Sequence, residues 1–284
     1  MSDAGELLKS GDLESALAAA KSAVKAKPAE ARERTLLFQL LCVAGDWKRA
    51  EAQLKVVAEL DEAAAPMAQM YARAIECELF REDVFAGKRS PLVLGEPNDW
   101  IGLLIEALRV SAEGKHDAAR GMRDEAFERA EAVGGTWSIG ATAEDATSSP
   151  IEWIADADSR MGPCLEVIVN GKYYWAPFDR IAKVNFEPPE DLRDLVWPPG
   201  QFTWSNEGTA IALIPTRYEN SWQSDNDEIR LGRLTTWEEH ADGSWFGMGQ
   251  RMLATDASEA ALPQLRSLEL NLPAETPKPA SPEA

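Results

Sequence analysis

The chain has 284 residues, 45% of them apolar and 27% charged, which is long enough for two domains with their own cores and too apolar for wholesale disorder. A formal net charge of −19 and a pI near 4.6 repel phosphate backbones and anionic lipid heads over about a Debye length, so nucleic acid and membrane surfaces are poor partners. Basic polypeptides remain compatible with that charge.

The opening MSDAGELLKSGDLESALAAAK carries acids early and lacks an apolar stretch behind basic residues, so no secretory signal is expected. No run approaches the roughly 20 apolar residues that cross a bilayer. Cys42, Cys77 and Cys164 are odd in number and lie in apolar contexts, a pattern of buried thiols in a reducing compartment. A cytoplasmic location is expected.

Residues 1–133 read as a helical repeat domain. KSGDLESALAAAK and VAGDWKRAEAQLK align with Gly11-Asp12 over Gly45-Asp46, an offset of 34 residues that matches the tetratricopeptide period. A looser copy, AEGKHDAARGM, places Gly114 69 residues after Gly45. Glycine can take the left-handed turn that ends one helix, and aspartate can cap the next. Apolar stripes at helical spacing (Leu13, Leu17, Ala20, Val24; then Trp47, Ala50, Leu54, Val57) agree. Six or seven helices are expected between residues 4 and 132, stacked as a short α-solenoid. The insertion FAGKRSPLVLGEPNDW, residues 85–100, has loop punctuation but an apolar centre at Leu92, Val93 and Leu94. It either packs back on the body or forms the edge of a docking groove.

Residues 134–150, GGTWSIGATAEDATSSP, are small and polar and read as a linker. From residue 151 to 271 the period becomes alternating, and eight of the ten Trp lie at or after Trp137. An antiparallel β domain is expected, either a twisted sheet or a small open barrel, so the fold class is α+β. Asn170-Gly171 between apolar runs predicts a type I′ hairpin. That register sets Val169 opposite Lys172, Val167 opposite Tyr174 and Leu165 opposite Ala176 on a core face. The other face pairs Ile168 with Tyr173 and Glu166 with Trp175, and is expected to be half covered by another strand or by the helical domain. Further strands are expected at IAKVNF, GQFTW, TAIALIP, EIRLGRLTTW, SWFGMGQRML and LRSLEL, with a short helix in PPEDLRDLVWPP. Residues 272–284 hold too little apolar surface to order themselves.

No catalytic constellation emerges. His116 and His240 lack Cys, His or carboxylate neighbours at zinc-like spacing, with His116 expected on the surface. No nucleophile elbow or phosphate loop is present. The nearest approach to chemistry is EWIADADSRMGP, where Glu152, Asp156 and Asp158 could hold a divalent cation or act as an acid/base pair. Against that stands a structural reading in which Asp158 caps its turn and pairs with Arg160. No cofactor or metal is expected.

The strings LLFQLLCVAGDWKRA, LVLGEP, WIADADSRMGPCLEVIVNGKYYWAPFDRI, DLRDLVWP and GQRMLATD resemble the ImpE/TagJ family, also labelled SciE-type virulence proteins, in the same order from about residue 6 to 270. Cys164 and Ala176 stand where larger or branched apolar residues are usual. The resemblance implies a cytoplasmic, non-enzymatic accessory protein of bacterial type VI secretion. It also implies binding to the amino-terminal helix of the small contractile-sheath subunit, and an influence on how the sheath meets its disassembly ATPase. Partner contact is expected near Asp156, Asp158, Arg160, Tyr173 and Trp175, with Leu92 and Leu94 as a second place. A scaffold or chaperone for another secretion component, and a metal-dependent hydrolase built on Glu152, Asp156 and Asp158, are the alternatives.

Overall fold

The Gly-Asp pairs do the local work expected of them. Gly11 (φ +83°) and Gly45 (φ +70°) turn left-handed, and the carboxylates of Asp12 and Asp46 accept hydrogen bonds from the Ser15 and Arg49 amides at 2.9 and 3.3 Å. These turns join α1 (Asp3–Lys9) to α2 (Leu13–Ala26) and α3 (Ala31–Val43) to α4 (Trp47–Leu60). The stack continues with α5 (Ala65–Phe85), whose first turn holds Pro66 where a missing amide costs nothing. After the two-residue strand β1 (Leu92–Val93) come α6 (Asp99–Ala112) and α7 (His116–Arg129). The computed structural model describes residues 3–189 and 191–272, so the tail expected at 272–284 falls, apart from Leu272, outside the described residues.

The second half is mostly antiparallel. Its strands are β2 (Gly135–Ile139), β3 (Thr147–Ile151), β4 (Ile154–Asp156), β5 (Cys164–Val169), β6 (Lys172–Pro177), β7 (Ile181–Phe186), β8 (Pro199–Trp204) and β9 (Thr209–Leu213). They are followed by the short helix α8 (Asp227–Arg230) and by β10 (Thr235–Glu239), β11 (Trp245–Gly249), β12 (Met252–Thr255), β13 (Glu259–Ala261) and β14 (Leu265–Leu270). Nine strands form one sheet in the order β1-β6-β5-β9-β8-β7-β14-β2-β3; β13-β12-β4 form a second sheet, and β10-β11 a separate hairpin.

The Asn170-Gly171 hairpin has the predicted register, Val169–Lys172, Val167–Tyr174 and Leu165–Ala176, with both turn residues at positive φ. Its two faces enter two different cores. Leu165, Val167 and Ala176 pack with Val184, Phe202 and Leu268, and the small sheet adds Leu253. Ile168, Tyr173 and Trp175 pack instead with Phe38, Tyr71 and Ile75 of the helices. This second face is fully covered rather than half covered, because α5 lies across β6 and leaves Tyr173 3% and Trp175 0% exposed. The Leu92–Leu94 insertion packs back on the body: β1 adds to β6 in parallel, pairing Leu92 with Tyr174 and Val93 with Trp175.

Other expectations are corrected. Residues 134–150 are not a free linker; β2 and β3 extend the main sheet, and β3 is its edge strand. An edge tolerates the small polar residues that suggested a loop, and Ser138 and Ser148 meet across the pair at 2.6 Å. EIRLGRLTTW is half helix, since Asn226 caps Glu228 at 2.9 Å and starts α8. SWFGMGQRML is two strands, broken at Gly249 (φ +94°), where a Cβ would lie 1.9 Å from the Leu234 carbonyl. DLRDLVW forms successive turns rather than a helix, and carries Val196 and Trp197 into the core shared with the helices.

Candidate functional site

Where α5 crosses the hairpin, a charged cluster lies fully buried. Arg81 projects from α5 and grips Glu166 of β5 through Nε (2.6 Å) and Nη2 (2.9 Å), while its Nη1 donates to Glu78 one turn earlier at 3.3 Å. Arg251, between β11 and β12, donates to both Glu166 and Asp156. The Tyr173 hydroxyl also donates to Glu166, and Trp175 Nε1 donates to that hydroxyl at 2.8 Å. Burial alone would push the Glu166 carboxyl up, but Arg81 and Arg251 outweigh it and hold it at about 2. Asp156 moves the other way, pushed up by burial that Arg251 only partly offsets.

The same seam is fastened at helix ends. Arg217 donates to the Val43 and Cys42 carbonyls at 2.7 and 3.3 Å, covering the negative end of α3. Asp227 accepts from the Leu13 amide at the start of α2 at 2.9 Å, and Arg233 donates to the Leu8 carbonyl at 2.9 Å. Trp197 Nε1 donates to Glu78 at 2.8 Å, with its ring 5.8 Å from Trp47 and 5.9 Å from Tyr71.

Five of the residues expected to touch a partner are therefore gathered here, and used internally. Asp158 caps its own turn and takes Arg160 Nε and Nη2 at 2.9 and 2.6 Å, and also accepts from the Gly247 amide at 2.8 Å. Asp156 and Asp158 are 3% and 1% exposed. Glu152 is exposed and apart, so the three carboxylates weighed as metal ligands do not converge. Among the described residues no group of three His, Cys, Asp or Glu is placed to hold a metal ion. Leu94 packs on the sheet core, and Leu92 alone of the seven is exposed, at 46%.

Sequence reading missed Glu166, Arg81, Arg251 and Arg217 as the organising charges. One signal was available: Glu166 interrupts CLEVIV, a strand otherwise apolar on both faces, directly opposite Trp175. A lone charge in such a strand demands a buried partner.

Two surface openings adjoin these elements among the described residues. One, of about 390 Å³, lies between the end of α7 and β4; Phe127 and Trp153 line it with Val133, Phe178 and Ala254. The other, about 380 Å³, lies between α6–α7 and the β10–β11 hairpin. Glu219, Arg160, Arg123 and both histidines line it. His116 is half-buried there rather than a free surface residue; its ring lies 6.4 Å from that of His240. No helix among the described residues is long and apolar enough to cross a membrane.

The ImpE protein family matches residues 148–269, from β3 through β14. The type VI secretion system accessory component TagJ of Pseudomonas aeruginosa is 47% identical over 266 residues, covering 94% of this chain and 90% of the relative. A crystal structure of a Vibrio parahaemolyticus protein has the same fold, with a TM-score of 0.82 at 22% identity over 94% of this chain and 97% of that one.

Proposed function

This chain belongs to the ImpE family, and on that footing we propose that it is a non-enzymatic accessory protein of a type VI secretion system that works in the cytoplasm by holding another polypeptide. The similarity to TagJ along nearly the whole of both chains carries this reading. The partner we propose is the amino-terminal helix of the small contractile-sheath subunit, and the consequence a change in how the sheath engages its disassembly ATPase.

The charges at the domain seam support a binding role over catalysis. Asp158 pairs with Arg160, and Asp156 and Glu166 both pair with Arg251, so these carboxylates are engaged within the fold. An amphipathic helix needs an apolar groove with a few anchoring pockets. The α7–β4 groove has that character, with Phe127 and Trp153 37% and 38% exposed at its walls. Leu92 at the sheet edge offers a second contact.

The test is a pull-down with this chain as bait and the small sheath subunit as prey, intact or without its first helix. Retention of the intact subunit and loss of the truncated one is expected, together with weakened capture by Trp153→Ala. Equal retention of both would refute the helix as the ligand. Co-purification of a different secretion component from cells lacking the sheath would favour a scaffold instead.

A further inference from the structure

Six acidic residues are buried among the described residues: Glu78, Asp156, Asp158, Glu166, Glu219 and Asp242. Five of them meet an arginine within ion-pair distance. Glu219 does not. It is 8% exposed, and its one hydrogen bond comes from Asn220 Nδ2 to Oε2 at 2.8 Å. Burying a carboxylate with no cation in ion-pair contact is costly, and this one lines an open cleft.

Each arginine already in that cleft has an acidic partner, though Arg123 Nη1 is left without a hydrogen bond. Arg160 is held by Asp158, with its guanidinium over the rings of Phe85 and Phe246 at 4.9 and 4.5 Å. Arg123 is held by Asp242 at 2.6 Å and by Ser244 at 2.7 Å. With those two pairs neutralised, the charges left over are Glu219 and, at the exposed rim, Glu238. We propose that this cleft receives a basic side chain, a lysine or arginine presented by another polypeptide, with Glu219 as its buried counter-charge and Glu238 guiding it at the mouth. About 380 Å³ of space admits either side chain. A chain with net charge −19 draws basic segments toward it.

Only the source of the side chain depends on the polypeptide-binding role proposed above. The cleft itself is tested with free amino-acid derivatives, so failure here leaves that role standing. Arg81 and Arg160 attract the Glu219 carboxylate, Glu166 and Glu82 repel it, and Arg123, Glu238, His116 and His240 face the same space. Burial dominates and pushes its carboxyl up to about 7. The cation needs the ionised form, so binding strengthens as pH rises through that value.

The chain has two histidines, and both line the cleft; their ring C–H proton resonances therefore report its occupancy without further labelling. Titration with N-acetyl-arginine amide and N-acetyl-lysine amide should shift them saturably, more tightly at about pH 8 than at about pH 6. Glu219→Gln should weaken binding about ten-fold or more, and Glu238→Gln, at an exposed position, about two- to three-fold. Neutral N-acetyl-glutamine amide and inorganic phosphate should leave the resonances in place. Shifts by phosphate in preference to the cations, or undiminished affinity in Glu219→Gln, would overturn the proposal. Should Glu219→Gln not fold, wild-type affinity for the cations that fails to rise between those pH values would overturn it equally.

Discussion

Glu166 shows how one residue holds two domains in register. Its carboxylate takes Arg81 from the helices and Arg251 and Tyr173 from the β domain, all without access to water. Removing one member of such a cluster leaves the others charged and unpaired, which costs more than the intact pairs contribute. Glu166→Gln keeps the shape and deletes the charge, so a loss of about 3–5 kcal/mol in urea unfolding at neutral pH is expected. The pH dependence has a definite sign. Because the folded-state value lies at about 2 against an ordinary 4.5, this stabilisation is complete above about 4.5 and is lost as pH falls toward 2. The variant should therefore lose less stability than the wild type across that acid window. An equal acid loss in both would place the sensitivity elsewhere.

At the level of elements, what was legible depended on whether the cause was local. The helix turns and the Asn170-Gly171 hairpin were readable because φ, caps and side-chain alternation act within a few residues. The β2–β3 pair was not, because its place depends on β14, more than a hundred residues away; α8 is likewise fixed through Asp227 reaching the Leu13 amide. The repeat glycines separate these two kinds of cause. Gly114 and Gly45 share a left-handed conformation, yet a Cβ on Gly114 meets nothing within 4 Å, whereas on Gly45 it would sit 2.2 Å from Trp222 Cδ1. Trp222 itself packs edge-on against Trp47 at 5.5 Å, so it has little freedom to withdraw. Gly114→Ala should cost about 1–2 kcal/mol, from backbone strain alone. Gly45→Ala should cost about 3 kcal/mol or more by adding a clash at the domain seam. Thermal melts that put the two variants at the same stability would show that the seam can yield.

Over the whole molecule, the division into a helical half and a β half describes the chain's order better than its cores. The larger apolar cluster includes Phe38, Tyr71, Ile75 and Trp100 from the helices together with Ile168, Tyr173, Trp175 and Trp197 from the β half. Phe85 and Trp175 face one another at 6.2 Å, and Phe80 and Tyr173 at 6.1 Å. Residues 1–133 expressed alone would expose this aromatic layer along with Arg81 and Glu78, whose main partners lie in the other half. A surface of that kind drives association. The isolated helical half should accordingly aggregate or lose fixed tertiary packing, while the intact chain should unfold as one cooperative unit. Differential scanning calorimetry tests this directly. A single transition with a calorimetric enthalpy equal to the van't Hoff enthalpy is expected, whereas two resolved transitions, one of them reproduced by residues 1–133, would mean that the halves fold independently. Cooperative unfolding would also limit where a partner can act: the seam cannot open without cost to both halves, whereas the outward-facing clefts lined by Glu219 and by Trp153 are reachable without opening it.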